Sequence, residues 1–131
     1  MSANQTTILV AEDEALIREL LGKILHHAGY QLLVASDGKQ ALEIAEQHTG
    51  SINVLLSDIV MPELSGVDLA RAITDKRPAT KIILTSAYLR HIWVMERSWR
   101  FITKPYVPAQ ILDAVREALH EVEGHAAKEV A

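Results

Sequence analysis

The stretch LLSDIVMPELSG, Leu55–Gly66, decides the fold. It begins as an apolar run suited to a buried strand, stops at one carboxylate, Asp58, and passes into a segment broken by Pro62 and Gly66. An acid at a strand end can cap a backbone amide, or it can be a reacting group held on a rigid support. The flanking sequence bears on the choice. Upstream, Ile52 to Ser57 reads as the strand itself. Downstream, Ser65 and Asp68 form a potential capping box and Leu64 and Leu69 a hydrophobic staple, so the spacing predicts a helix from Gly66 that stops before Pro78.

The same alternation runs through the chain. Thr7 to Ala11 reads as a first strand, followed by a helix with Ile17, Leu20, Leu21, Ile24 and Ala28 on its apolar side and Gly29 as its terminating glycine. Tyr30 to Ala35 is a second strand. Asp37 caps a second helix that turns Ala41, Leu42 and Ala45 inward and closes near Gly50. Lys81 to Thr85 is the fourth strand and Phe101 to Thr103 a brief fifth. Pro108 suits the first turn of a last helix with Ile111, Leu112, Val115, Ala118, Leu119 and Val122 on one face. Between the fourth and fifth strands, AYLRHIWVMERSWR supports only a short or distorted helix; its Ile92, Trp93, Val94 and Met95 leave no polar side on one turn, which fits either deep burial or a docking patch.

Strands alternating with helices require a parallel sheet covered on both faces, because parallel strands need crossovers. The expected fold is α/β, a flavodoxin-like five-stranded parallel sheet in the order 2-1-3-4-5. Residues 1–125 form one expected domain, and 126–131 an expected disordered tail.

Composition narrows the function. The 131 residues carry 17 acids against 13 Lys and Arg, a net charge of −4 with no basic stripe, so direct nucleic-acid binding is not expected. The absence of cysteine excludes disulfides and thiolate chemistry. No apolar run is long enough to span a bilayer, and a cytoplasmic location with no membrane partner is expected.

In doubly wound sheets the functional crevice lies beyond the carboxyl ends of the strands, where their order reverses. The first strand ends in Glu12 and Asp13, the third in Asp58, the fourth in Thr85 and Ser86, and the fifth in Lys104 and Pro105. If the first and third strands are neighbours, three carboxylates converge, and like charges so crowded call for a cation. Hard oxygen ligands select magnesium or calcium. An acid nucleophile, a divalent cation, a lysine and a hydroxyl are the parts in-line phosphoryl transfer needs.

The set AED (Glu12, Asp13), SDIVMPELSG (Asp58 to Gly66), TSA (Ser86) and TKP (Lys104) resembles the receiver domain of two-component response regulators, over about residues 5 to 123. The resemblance implies that Asp58 is the phosphoacceptor, that Glu12, Asp13, Asp58 and the Val60 backbone carbonyl bind Mg2+, and that Ser86 and Lys104 hold the phosphoryl oxygens. It also implies a cis Lys104-Pro105 bond, and a switch in which the Ser86 hydroxyl moves toward the phosphoryl group while Phe101 turns inward behind it. The implied partner is a histidine kinase or histidine phosphotransfer protein, with an unspecified downstream target and room for a phosphorylation-dependent dimer. The implied role is a stand-alone phosphoacceptor, not an enzyme, that assists its own phosphorylation and dephosphorylation and signals by protein contact or by relay.

Two departures from the family pattern stand out. The interval from Ser86 to Lys104 is about one helical turn shorter than in most receivers. Val60 and Tyr88, each two residues beyond a site residue, offer no small polar group to orient a hydrolytic water, so slow self-dephosphorylation is expected. His26, His27, His48, His91, His120 and His125 show no metal-ligand spacing and read as surface or packing residues. Rival functions fit less well. A flavin or nucleotide binder would want a phosphate loop where AEDEA stands, and an aspartyl-phosphate phosphatase would usually have a second acid at Val60. A phosphorylation-independent pseudo-receiver would have no need of the full set of acids, hydroxyl and lysine.

Overall fold

A computed structural model of the chain describes residues 6–121; Val122, His125 and the tail at 126–131 lie outside them. Five strands, β1 (Thr7–Ala11), β2 (Gln31–Ala35), β3 (Val54–Asp58), β4 (Lys81–Ser86) and β5 (Arg100–Thr103), form one sheet in the order β2-β1-β3-β4-β5, all neighbours parallel. Helices α1 (Ala15–His27), α2 (Gly38–Gln47) and α3 (Gly66–Lys76) supply the first three crossovers, and α4 (Pro108–His120) follows the last strand. In place of a further α-helix between β4 and β5, the chain makes a 3-10 helix, Leu89–Val94. The expected strand order and the expected irregular segment are both present.

Strand alternation sorts the core into two layers. Leu9, Leu55 and Leu84 point to the side covered by Ala41 and Ala45 of α2 and Leu69 and Ile73 of α3. Ile8, Val10, Leu56 and Ile83 point to the other side, against Leu21 and Leu25 of α1 and Ile111, Val115 and Ala118 of α4. Both faces of the central strands are thus apolar, which is why these runs read as continuous rather than alternating.

Helix boundaries follow local chemistry. Asp37 accepts from the Gln40 N–H at 2.7 Å, and the Ser65 hydroxyl accepts from the Asp68 N–H at 3.2 Å. Gly29 takes φ 98°, the left-handed conformation that closes α1. The apolar face of α1 is rotated from its sequence expectation: Leu25 is fully buried, whereas Leu20 is 50% exposed. Spacing alone allowed either edge of the stripe, and packing beneath α4 selects Leu21 and Leu25.

On the α2–α3 side, Arg77 at the end of α3 ties the two helices together. Its guanidinium donates to the Gly50, Ala45 and His48 carbonyls at 2.8, 2.9 and 2.7 Å, satisfying groups left open at the end of α2, and Lys76 pairs with Glu46 beside it. The segment between β4 and β5 is held differently. Trp99 and Met95 pack partly against the core, but Trp93 is 87% exposed and Ile92 and Val94 are exposed too, so deep burial of this turn is excluded.

Candidate functional site

The carboxyl ends of β1 and β3 lie side by side because Ala11 is in register with Ser57. The residues that follow each strand therefore share one rim. Glu12, Asp13 and Asp58 each bring a carboxylate oxygen to within 4.8 Å of the others. Glu12 and Asp58 are buried, at 1% and 7% exposure, and Asp13 faces solvent. Glu12 is set by the Glu14 N–H donating to its Oε2 at 3.1 Å, and by Arg18, reaching back from α1 to donate to its carbonyl at 2.8 Å.

Lys104, beyond the end of β5, closes the group. Its Nζ donates to Asp58 Oδ2 at 2.9 Å and to Glu12 Oε1 at 3.2 Å, while the Val60 N–H donates to Asp58 Oδ1 at 3.2 Å. Both Asp58 oxygens are thereby oriented by donors, and the Lys104-Pro105 peptide is cis.

The charges do not balance. Burial pushes the Glu12 carboxyl above its usual range, the Glu14 N–H opposes that, and the nearby Asp58 charge adds to it. Burial pulls Lys104 down, but its hydrogen bond to Asp58 and the charges of Asp58 and Glu12 outweigh this, so its ammonium is held above its ordinary value. With all three acids ionised, one ammonium leaves the cluster short of positive charge, and the donors are all hard oxygens. Such a set suits Mg2+.

A family model for the response regulator receiver domain matches residues 8–116. The chain belongs to this family. It is 31% identical over 123 residues to the sensor kinase CckA of Brucella abortus, covering 91% of this chain but only 13% of that much longer kinase. It is also 31% identical to the chemotaxis protein CheY of Thermotoga maritima, over 84% of this chain and 94% of that protein. Among solved structures, the response regulator TrrA of Thermotoga maritima, in complex with Mg2+-BeF, superposes with a TM-score of 0.75 at 31% identity, covering 87% of this chain and 99% of that one.

Against the receiver pattern, the structure brings together Glu12, Asp13, Asp58 and Lys104, with Val60 at the edge of the group. Ser86 is fully buried at the end of β4, one residue beyond Thr85, the register partner of Asp58, but its hydroxyl is engaged elsewhere. Its Oγ lies 2.7 Å from His91 Nδ1 and accepts from the Tyr88 N–H at 3.0 Å. Phe101 is half-buried on β5 beside Leu84, packed on the core with Met95 and Trp99. Sequence reasoning placed His91 among surface or packing residues and did not foresee its polar contact: the 3-10 turn folds the half-exposed ring back onto Ser86. No spacing rule signals such a contact across an irregular segment. Arg18 was also missed, since its target is a backbone carbonyl.

An apolar cavity of about 300 Å³ lies beside the site, lined by Ile17, Leu20, Ala87, Lys104, Pro105 and Tyr106. The buried Tyr106 hydroxyl has no hydrogen-bond partner among the described residues, and burial pushes its pKa from 10.0 up to about 12. The unfolded chain would lose this proton first, so this contribution to stability is present below pH 10 and is lost as pH rises toward 12. We expect Tyr106→Phe to leave neutral-pH stability unchanged or raise it by up to about 1 kcal/mol, because it deletes an unpaired buried hydroxyl. The variant should also lose less stability than the native chain, by about 1–2 kcal/mol after allowance for solvent screening, in urea titrations run through the alkaline range.

Proposed function

We propose that this receiver accepts a phosphoryl group on Asp58 from a histidine kinase or histidine phosphotransfer protein in a Mg2+-dependent reaction, and that the modification changes its protein contacts. The observation that carries the reading is the convergence of Glu12, Asp13 and Asp58 within 4.8 Å, with Lys104 Nζ 2.9 Å from Asp58. A receiver fold could display a lone acid for capping; crowding buried carboxylates around a lysine has no structural benefit.

Glu12, Asp13, Asp58 and the Val60 carbonyl would hold the ion, which when bound neutralises charge on the phosphoryl oxygens and their carboxylate neighbours. The chain's own residues do the rest. An Asp58 oxygen bonds to phosphorus as the donor's bond breaks, with β3 holding the carboxylate and the Val60 N–H fixing its rotation. Lys104, already on the acids, would follow the negative charge onto a phosphoryl oxygen, and Ser86 would donate its hydroxyl proton to another. With Val60 half-exposed and the Tyr88 ring turned toward His91 and Arg90, neither is placed as a polar guide for a hydrolytic water, consistent with a long-lived phosphoprotein. The role is that of an acceptor assisting its own modification rather than an enzyme. A cytoplasmic setting fits a protein-borne phosphoryl donor, and no helix among the described residues is long and apolar enough to cross a membrane.

The test is exposure of the native chain to a small acyl phosphate with and without Mg2+, followed by intact mass and mapping of the modified residue. A single Mg2+-dependent phosphoryl addition on Asp58 is expected. No addition would favour a module that binds partners without being phosphorylated.

A further inference from the structure

The Ser86–His91 hydrogen bond belongs to neither the acidic cluster nor the core. We propose that His91 is a positioning residue that holds the Ser86 hydroxyl proton in the resting state, so that phosphorylation of Asp58 must break the Ser86–His91 bond and thereby release the 3-10 helix. The inference rests on Asp58 being the phosphoacceptor.

The reasoning starts from the inventory of a serine hydroxyl, which has one proton to donate and two lone pairs. The Tyr88 N–H uses one lone pair, at 3.0 Å. On the proposal the proton goes to His91 Nδ1, 2.7 Å away, the tautomer that carries the ring hydrogen on Nε2. Ser86 is fully buried, so no water competes for that proton. A phosphoryl oxygen on Asp58 and the His91 ring are thus rivals for a single hydrogen.

The bond is also a mechanical tether. His91 is in the middle of Leu89–Val94, and its other contacts stay within the turn and its N-cap: the His91 N–H donates to the Tyr88 carbonyl at 3.0 Å, and the Tyr88 and His91 rings meet edge to face at 5.5 Å. Withdrawing the Ser86 proton removes the hydrogen bond that pins this turn to β4. Its exposed Ile92, Trp93 and Val94 then become free to rearrange, so the event at Asp58 is read on a surface next in sequence to the hydroxyl rather than across the core.

Three chains test this: native, His91→Phe, which keeps a ring of similar size but no acceptor, and His91→Asn, whose amide oxygen can take over near the Nδ1 position. His91 is half-exposed, and matched circular dichroism and melting would show that the variants fold. With a small acyl phosphate and Mg2+, His91→Phe should become labelled about threefold to tenfold faster than native, the factor one freed hydrogen bond supplies, and His91→Asn should fall back toward native. In the unphosphorylated native chain, nitrogen NMR should find His91 protonated on Nε2, with an Nδ1 signal that shifts in Ser86→Ala. Equal labelling of native and His91→Phe, or a proton on Nδ1, would overturn the proposal while leaving the acceptor role of Asp58 intact. Absence of labelling in all three chains would overturn both, and the NMR arm would still show whether the bond exists.

Discussion

In Asp58→Asn, Mg2+-dependent labelling by a small acyl phosphate should fall to background, and Mg2+ should no longer raise the melting temperature. An amide is a poor nucleophile and cannot ionise, so the reacting oxygen is lost with little change in shape. The effect on the ion is as large. Removing one of three hard anionic donors leaves Glu12 and Asp13, with Lys104 still donating to Glu12, so little uncompensated charge remains to attract a dication. For the native chain, ligand linkage stabilises the fold by about 2.7 kcal/mol when Mg2+ stands at roughly 100 times its dissociation constant; the variant should forfeit nearly all of this. Without Mg2+ the two chains should differ by only about 1 kcal/mol, because two consequences oppose each other. The variant relieves the repulsion between Glu12 and Asp58, but the amide keeps an acceptor for Lys104 only by aiming its NH2 at the Val60 N–H, which now lacks its partner. Calorimetric melting with and without Mg2+ separates these contributions. A variant that still melts higher with Mg2+ would place the ion elsewhere.

Gly66→Ala is expected to cost about 3 kcal/mol, as overpacking against rigid backbone does, and to slow phosphoryl acceptance as well. A Cβ at Gly66 would lie 2.2 Å from the Asp58 carbonyl oxygen and 2.9 Å from Ile59 Cα, both main-chain atoms that cannot swing aside. The Gly66 N–H also donates to the Ile59 carbonyl at 2.8 Å, so α3 begins pressed directly against the base of Asp58. Relief requires moving either α3 or the end of β3, and the second displaces the Asp58 carboxylate from Lys104. Urea midpoints at unchanged slope measure the first effect, and labelling rate the second. A substitution tolerated at both would mean that this contact does not position Asp58.

The fold was legible because each strand is a short apolar run between punctuating residues and the starts of α2 and α3 carry side-chain caps. Gly29, Asp37 and Ser65 perform the roles their positions suggest. Glu12, Asp13, Asp58 and Lys104 were legible for a related reason: in a parallel sheet, residues following separate strands share one rim, so linear order plus strand order predicts their meeting. What stayed hidden depends on details that periodicity does not encode. Leu20 and Leu25 exchange expected burial because the stripe on α1 is wide enough to roll. Arg77 and Arg18 act on backbone carbonyls, which every residue has and none advertises. His91 reaches Ser86 through a 3-10 turn whose path no pattern of apolar residues fixes.

The Arg77 clamp makes the molecule mechanically lopsided. Its guanidinium joins the end of α3 to the end of α2 through three carbonyls, so these two helices are held by hydrogen bonds as well as by packing. On the proposed reading, a disturbance at Asp58 would therefore relax more readily through the 3-10 segment between β4 and β5 than by parting α2 from α3.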